Sequence, residues 1–292
     1  MTANRFIYRS RKQLELERYN ACLEEAAKAG GFATIYAHSN YLDALCAGNW
    51  GALVAGDYDQ VFPLPLKRFL GLPYAVQPPF CQQLGLMGGP GPLSEKDAIN
   101  AIPSFLIRVR LWANSEHAQA EEGSRVNFVI PVEENRLENL DKDARKNIQK
   151  ARDKGCVIRP MVNLNMGIET YRKAWGELNE NLSDDDYNRF LQACKNLQAI
   201  DRLHAIKAMS AEGELLATAI FLKGYGRLHY VCAAPTDAGR PMGIMHLVIA
   251  DTLEQFPGWE LDLEGSSIDS VASFYIKFKP ENHPFHFIKR GL

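Results

Sequence analysis

Three apolar strand candidates, Leu203–Met209, Leu215–Lys223 and Arg227–Ala234, are followed by a largely apolar helix, Ile244–Phe256, and then by another strand, Trp259–Glu264. No other feature of the 292-residue chain restricts its fold as much. Gly213 and the turn Gly224-Tyr225-Gly226 separate the first three strands, so they pair as an antiparallel meander. A strand–helix–strand passage after a meander calls for a mixed sheet with helices on its faces. Trp259–Glu264 alternates without a break: Trp259, Leu261 and Leu263 on one face, Glu260, Asp262 and Glu264 on the other.

The rest of the C-terminal half extends this pattern. Cys156–Val162 is a strand, and Ile168–Asn179 and Asp184–Gln198 are helices, the second capped by Ser183. Ile268, Val271, Ala272, Tyr275 and Phe278 mark a last helix, and His283–Lys289 a final strand. The order is β α α β β β α β α β. The first half is less regular. Helices are expected over 11–29, over Asn40–Ala47, and from Ser94 and Asp97 to about Trp112. Between Trp50 and Gly89, short apolar runs alternate with glycine and proline, which suits short strands with tight connections. Ser124–Val132 is a strand candidate. The charged segment Glu133–Lys154 follows and is the expected boundary, with domains at 1–135 and 136–292. Within it Leu137, Leu140, Ala144, Ile148 and Ala151 form an apolar helical stripe.

Composition excludes several classes. The chain is 46% apolar and 23% charged, which is globular rather than disordered. No apolar run approaches the ~20 residues that span a bilayer, and Met1–Asn20 has no apolar signal core, so a cytoplasmic protein is expected. Six cysteines lie far apart with no CxxC pair, and the seven histidines form no HExxH, so no metal site is expected. The net charge of −2 gives no global attraction to nucleic acid. Lys142, Lys146 and Lys150 nonetheless recur at four-residue spacing, as a weak RNA contact or simply as a solvated face.

The element order of the second half resembles the GNAT acyltransferase fold, an α/β (α+β) architecture with a mixed sheet flanked by helices. Finer detail resembles the Fem-type branch, the peptidoglycan aminoacyltransferases and their relatives. ARKNIQKARDKGCVI (144–158) looks like that branch's basic helix and first strand, and RLHYVCAAPTDAGRPMG (227–243) like its fourth strand and loop. LDLEGSSIDSVASFYIKF (261–278) looks like its DFEGS…FYKSFG segment, and PLPLKR (63–68) and QPPFCQQLG (77–85) like runs in its first half. The resemblance covers nearly the whole chain and implies two tandem GNAT-like domains. It also implies transfer of an acyl or aminoacyl group to a small-molecule or peptide amine, from an acyl-CoA or aminoacyl-tRNA co-substrate and without a covalently bound cofactor. Met245 and Lys279 depart from the family pattern, where small residues and glycine stand. They motivate the alternative of a degenerate, non-catalytic scaffold that binds a ligand or partner.

In the GNAT fold the donor sits where the fourth and fifth strands splay apart, with its pyrophosphate on the N-terminus of the following helix. The resemblance therefore points to Ala233, Ala234, Arg240 and Gly243 as donor contacts; free backbone N–H groups and the helix dipole supply the anion site. Arg240 and Gly243 can equally be residues of a plain turn. Tyr275 matches the tyrosine that protonates the leaving group in many GNAT enzymes, and also lies on the apolar stripe of its helix. Asp262 and Glu264 point the same way from a central strand and are candidates to deprotonate an incoming ammonium, or else partners in ion pairs. The expected turn Gly265-Ser266-Ser267 would bring Glu264 and Tyr275 to one cleft.

Overall fold

The computed structural model of the protein describes residues 5–89, 91–113, 123–265 and 268–291. The chain divides into two compact units, one of Met1–Arg125 with Pro284–Leu292 and one of Val126–His283. In chain order the first contains β1 (Phe6–Ser10), α1 (Leu16–Lys28), α2 (Ser39–Leu45), β2 (Trp50–Ala55), β3 (Gln60–Phe69) and β4 (Leu72–Val76). It continues with β5 (Met87–Gly88), α3 (Glu95–Ala101), β6 (Arg108–Ala113) and β7 (Ser124–Arg125). The second unit opens with β8 (Phe128–Ile130), α4 (Lys142–Asp153), β9 (Val157–Pro160), α5 (Leu164–Trp175) and α6 (Asp184–Gln198). Then come β10 (Leu203–Met209), β11 (Leu215–Gly224), β12 (Arg227–Pro235), α7 (Ile244–Gln255), β13 (Glu260–Asp262), α8 (Asp269–Ile276) and β14 (Glu281–Asn282). The last strand, β15 (Phe285–Gly291), returns to the first unit.

Each unit has one mixed sheet. The first runs β1-β2-β3-β4-β6-β15-β7, with β5 also on β3, and the second β14-β8-β13-β12-β11-β10-β9. The meander expected over 203–234 is present, and β12 and β13 are parallel across the α7 crossover. The domain boundary lies at 125/126 rather than at 135/136. Phe128–Ile130 is apolar enough to join the second sheet, where Ile130 pairs with Leu261, so the charged segment begins inside the second unit. The final strand, expected with the second half, pairs along β6 from His286↔Ala113 to Gly291↔Arg108 in the first sheet. The strand expected over Ser124–Val132 is two short strands, one in each sheet. The helix expected from Ser94 to Trp112 ends at Ala101, since Pro103 cannot continue it. Val109, Leu111 and Ala113 are then buried alternately in β6.

In the second unit, α4, α7 and α8 contribute Ala144, Ile148, Leu247, Val248 and Tyr275, which join Ala217, Ala219 and Phe221 of β11 in one core. On the other face α5 presents Gly167 to Ile220, where a Cβ would come within 3.1 Å of that side chain. The buried Arg136 guanidinium donates to the carbonyls of Leu253, Phe256 and Trp259 and so satisfies the C-terminal end of α7. No helix among the described residues is long and apolar enough to cross a membrane.

Candidate functional site

The parallel pair in the second sheet is short. Arg227, Leu228 and His229 pair with Glu260, Leu261 and Asp262, and no further pair follows, although β12 runs on to Pro235. The reason is local. The register of β12 against β11 shifts between Tyr230 and Cys232, which leaves Val231 as an extra, bulged residue. A bulge bends its strand and raises its twist, so β12 turns away from β13 just past His229. The two strands therefore diverge, and polar groups collect where they part.

His229 lies at that point and is almost completely buried. Its Nδ1 is 3.1 Å from Glu264 Oε1 and 3.6 Å from Asp262 Oδ2. Burial pushes the imidazole down to about 4, against the pull of Asp262, so the ring is neutral near pH 7. A neutral ring beside a carboxylate carries its proton on Nδ1 and donates it to Glu264. Asp262 is wholly buried, and burial followed by Glu264 pushes its carboxyl up. Its Oδ2 accepts from Asn127 Nδ2 at 2.9 Å and from Arg227 at 3.4 Å, and its Oδ1 accepts the Glu264 N–H at 2.9 Å. That last bond holds Glu264 in a left-handed conformation, φ 60°, which turns its side chain back toward His229. Glu264 is half-buried, whereas Asp262 has no exposure.

Among the described residues, His229, Asp262 and Glu264 are the one set whose ligand atoms, all within 4.8 Å of one another, match a metal site. The Arg227 guanidinium and Asn127 amide already occupy Asp262 Oδ2, and a fixed positive charge there opposes a cation. The chemistry the set fits better is proton transfer: an inner carboxyl that fixes, a neutral imidazole, and a less buried carboxylate.

Tyr275 is buried, with its ring edge-on to Phe128 and Tyr230 in the core. Burial first, then the Glu264 carboxylate, raises its phenol well above the ordinary range, and Tyr275 is a member of the core. Of the expected turn 265–267, Ser266 and Ser267 lie outside the described residues. Gly265 is packed so tightly that a Cβ would meet Val126 O.

At the other end of β12, Ala233 is half-buried and Ala234 fully buried. Ala233 O accepts Trp175 Nε1–H at 3.1 Å, and the exposed Arg240 guanidinium stands 5.6 Å from the Trp175 ring. Gly243 takes φ 65° immediately before α7, and a Cβ there would come 3.1 Å from the Asn147 side chain. Lys150 Nζ donates to Pro241 O at 2.9 Å, while Lys142 and Lys146 are exposed. Met245 is half-buried and packs against the core. The structure thus brings Ala233 and Arg240 together at Trp175, and Gly243 and α4 together at Asn147. The stretch of β12 from His229 to Ala233 separates this group from the Glu264 group. Sequence reasoning missed His229, Asn127 and Trp175, whose hydrogen-bond partners lie 35 to 155 residues away along the chain. The alternation of β12 was the only signal that His229 faces the same neighbours as Asp262.

No protein-family model matches the chain, and no curated protein matches its sequence. Solved structures do match its fold. The chain is similar to FemX with a TM-score of 0.71 and 11% identity, over 98% of this chain and 97% of that one. It is similar to L-PGS from Bacillus licheniformis with a TM-score of 0.55 and 13% identity, over 94% of this chain and 90% of that one. The C-terminal domain (DUF2156) of a putative lysylphosphatidylglycerol synthetase from Agrobacterium fabrum follows at 0.54 and 10%, again over 94% and 90%. At such identities the likeness concerns architecture, and over nearly its full length this chain has the two-unit, tandem GNAT-like fold of the Fem type.

Proposed function

We propose that the second unit transfers an acyl or aminoacyl group from an activated donor to an amine. The observation that carries this is the divergence of β12 and β13 at a buried His229–Glu264 pair. In the proposed reaction the amine nitrogen attacks the donor's carbonyl carbon, and the bond to the leaving sulfur or oxygen breaks. Glu264, held by His229 and by the Asp262-fixed backbone, takes the proton from the attacking amine. Tyr275 returns a proton to the leaving group. The leaving group is then the thiol of an acyl-CoA or the ribose hydroxyl of an aminoacyl-tRNA.

Arg240, Gly243, Ala233 and Ala234 would contact the donor, with Asn147 beside them and the α7 N-terminus as the anion site. Lys142, Lys146 and Lys150 would then meet the polyanionic body of an RNA donor. The reading as a non-catalytic scaffold rests on Met245, which is half-buried and packs against the core from α7's first turn.

The test is a pair of variants. Glu264→Gln is expected to slow amide formation by about 100- to 10,000-fold with unchanged donor affinity. Arg240→Ala is expected to weaken donor binding by about 1.5–3 kcal/mol, read by calorimetry. If Glu264→Gln retains full turnover, Glu264 is not the base.

A further inference from the structure

The β3–β4 hairpin of the first unit ends in an unusual turn. Phe69 and Leu72 pair across it, and Leu70 and Gly71 both have left-handed backbones, φ 50° and 82°. Two-residue turns of this kind normally carry Asn-Gly or Asp-Gly, because a bulky side chain with positive φ is strained. Here the first position is a leucine that is 87% exposed, so it neither relieves the turn nor packs against the protein. Its neighbours Phe69 and Leu72 are 64% and 51% exposed. Ile107, whose N–H bonds to Pro73 O next to the turn, is 43% exposed. Folding stability accounts for none of these four apolar side chains, and contiguous exposed apolar groups of this kind mark an interaction site.

The charged residues of the strands that flank the tip, β3, β4 and β6, are of one sign. Lys67 and Arg68 precede it, and Arg68 folds back to donate to Gly71 O at 2.9 Å. Arg108 begins the adjacent strand β6 and is exposed. From Gln60 to Ser94, and again from Ala98 to Ala113, the sequence contains no Asp or Glu. An apolar tip above a collar of cations without anions matches a bilayer with acidic headgroups: hydrocarbon accepts the tip, and lipid phosphates meet the cations. A folded protein partner would need a pocket for a convex hairpin tip, and a nucleic acid offers no apolar medium for Leu70.

We infer that this hairpin tip is a membrane-docking element, which inserts Phe69, Leu70 and Leu72 into the interface of an anionic lipid surface. The chain would be a peripheral protein that reaches the bilayer through its first unit, whatever the second unit catalyses.

The experiment is co-sedimentation of the full chain with vesicles of phosphatidylcholine alone and of phosphatidylcholine mixed with phosphatidylglycerol. Binding is expected to the mixed vesicles and to weaken with salt. Leu70→Asn suits the left-handed backbone, so its thermal midpoint should equal or exceed that of the wild type, while its vesicle binding falls about tenfold or more. Lys67→Gln and Arg108→Gln should each weaken binding about fivefold. Leu70→Trp should show emission that is quenched by brominated lipid. The inference is overturned if the wild type does not sediment with mixed vesicles, if Leu70→Asn binds as well as the wild type, or if the tip instead drives self-association in the absence of lipid.

Discussion

A single buried histidine shows how residue-scale chemistry departs from what a sequence displays. His204 of β10 has its ring against Phe221 and Phe256, and its buried Nε2 has no hydrogen-bond partner among the described residues. Burial, then the charge of Lys223, lowers its folded-state value to about 4. The unfolded chain takes up a proton from about pH 6.5 downward, whereas the folded chain does so only near 4. Stability is therefore full above about pH 6.5, is lost progressively as pH falls toward 4, and changes no further below it. The loss from this group is about 2 kcal/mol, allowing for its remaining solvent contact. Urea unfolding of His204→Phe should show less acid sensitivity than the wild type by that amount; equal sensitivity would show that the ring is not the titrating group. His229 is depressed to a similar value, but Asp262 is coupled to it with the opposite tendency, so His204 isolates the effect.

At the scale of elements, the helix ends carry the next test. Lys279 follows α8 with φ 50°, and its N–H bonds to Ile276 O, a helix-ending position where glycine is the favoured residue. Lys279 is exposed, so its departure from the Fem pattern has a conformational cost and no packing role. Lys279→Gly is expected to raise unfolding stability by about 0.5–1 kcal/mol and to leave any transfer activity unchanged, measured by denaturant melts and turnover. A stability decrease would mean that the lysine side chain has a role the structure does not reveal. Elements of the second unit were largely legible because their periodicity is strong. The meander 203–234 and α6 fall where alternation and the Ser183 cap place them. Strand β3 was not legible, since Pro63 and Pro65 read as breaks in it. Leu66 N–H bonds to Asn49 O, so the alternation turns Leu64 and Phe62 toward β2, and Pro63 and Pro65 away from it. On that far side β5 pairs only with 60–61 and β4 only with 66–69, so neither proline leaves a neighbouring strand without a donor.

For the whole molecule, the sequence order and the spatial division disagree at one end. Phe285–Gly291 follows the second unit in the chain and completes the sheet of the first. Nothing in its apolar alternation says which sheet it joins, since alternation within one strand does not encode its partner. Deleting residues 284–292 should therefore raise amide hydrogen exchange in 108–113 and leave 203–235 protected, read by mass spectrometry. Loss of protection in both stretches together would contradict two separately organised sheets. The candidate site was legible only in part. Alternation singled out Asp262 and Glu264, although the strand ends at Asp262 and a left-handed backbone turns Glu264; Arg240 and Gly243 were singled out by the likeness of their loop to the GNAT pattern. The bulge at Val231 that opens β12 from β13, and the His229 it leaves beside Glu264, depend on register between strands, which periodicity within one strand does not encode. The central claim is that this opening supports acyl transfer to an amine. It is tested most directly by incubating the full chain with aminoacyl-tRNAs or acyl-CoAs and an isotopically labelled amine, and following the labelled amide by mass spectrometry. Amide formation by the wild type that is lost in Glu264→Gln, with donor binding retained, is the predicted result; no amide from any donor, or equal amide from the variant, would contradict it.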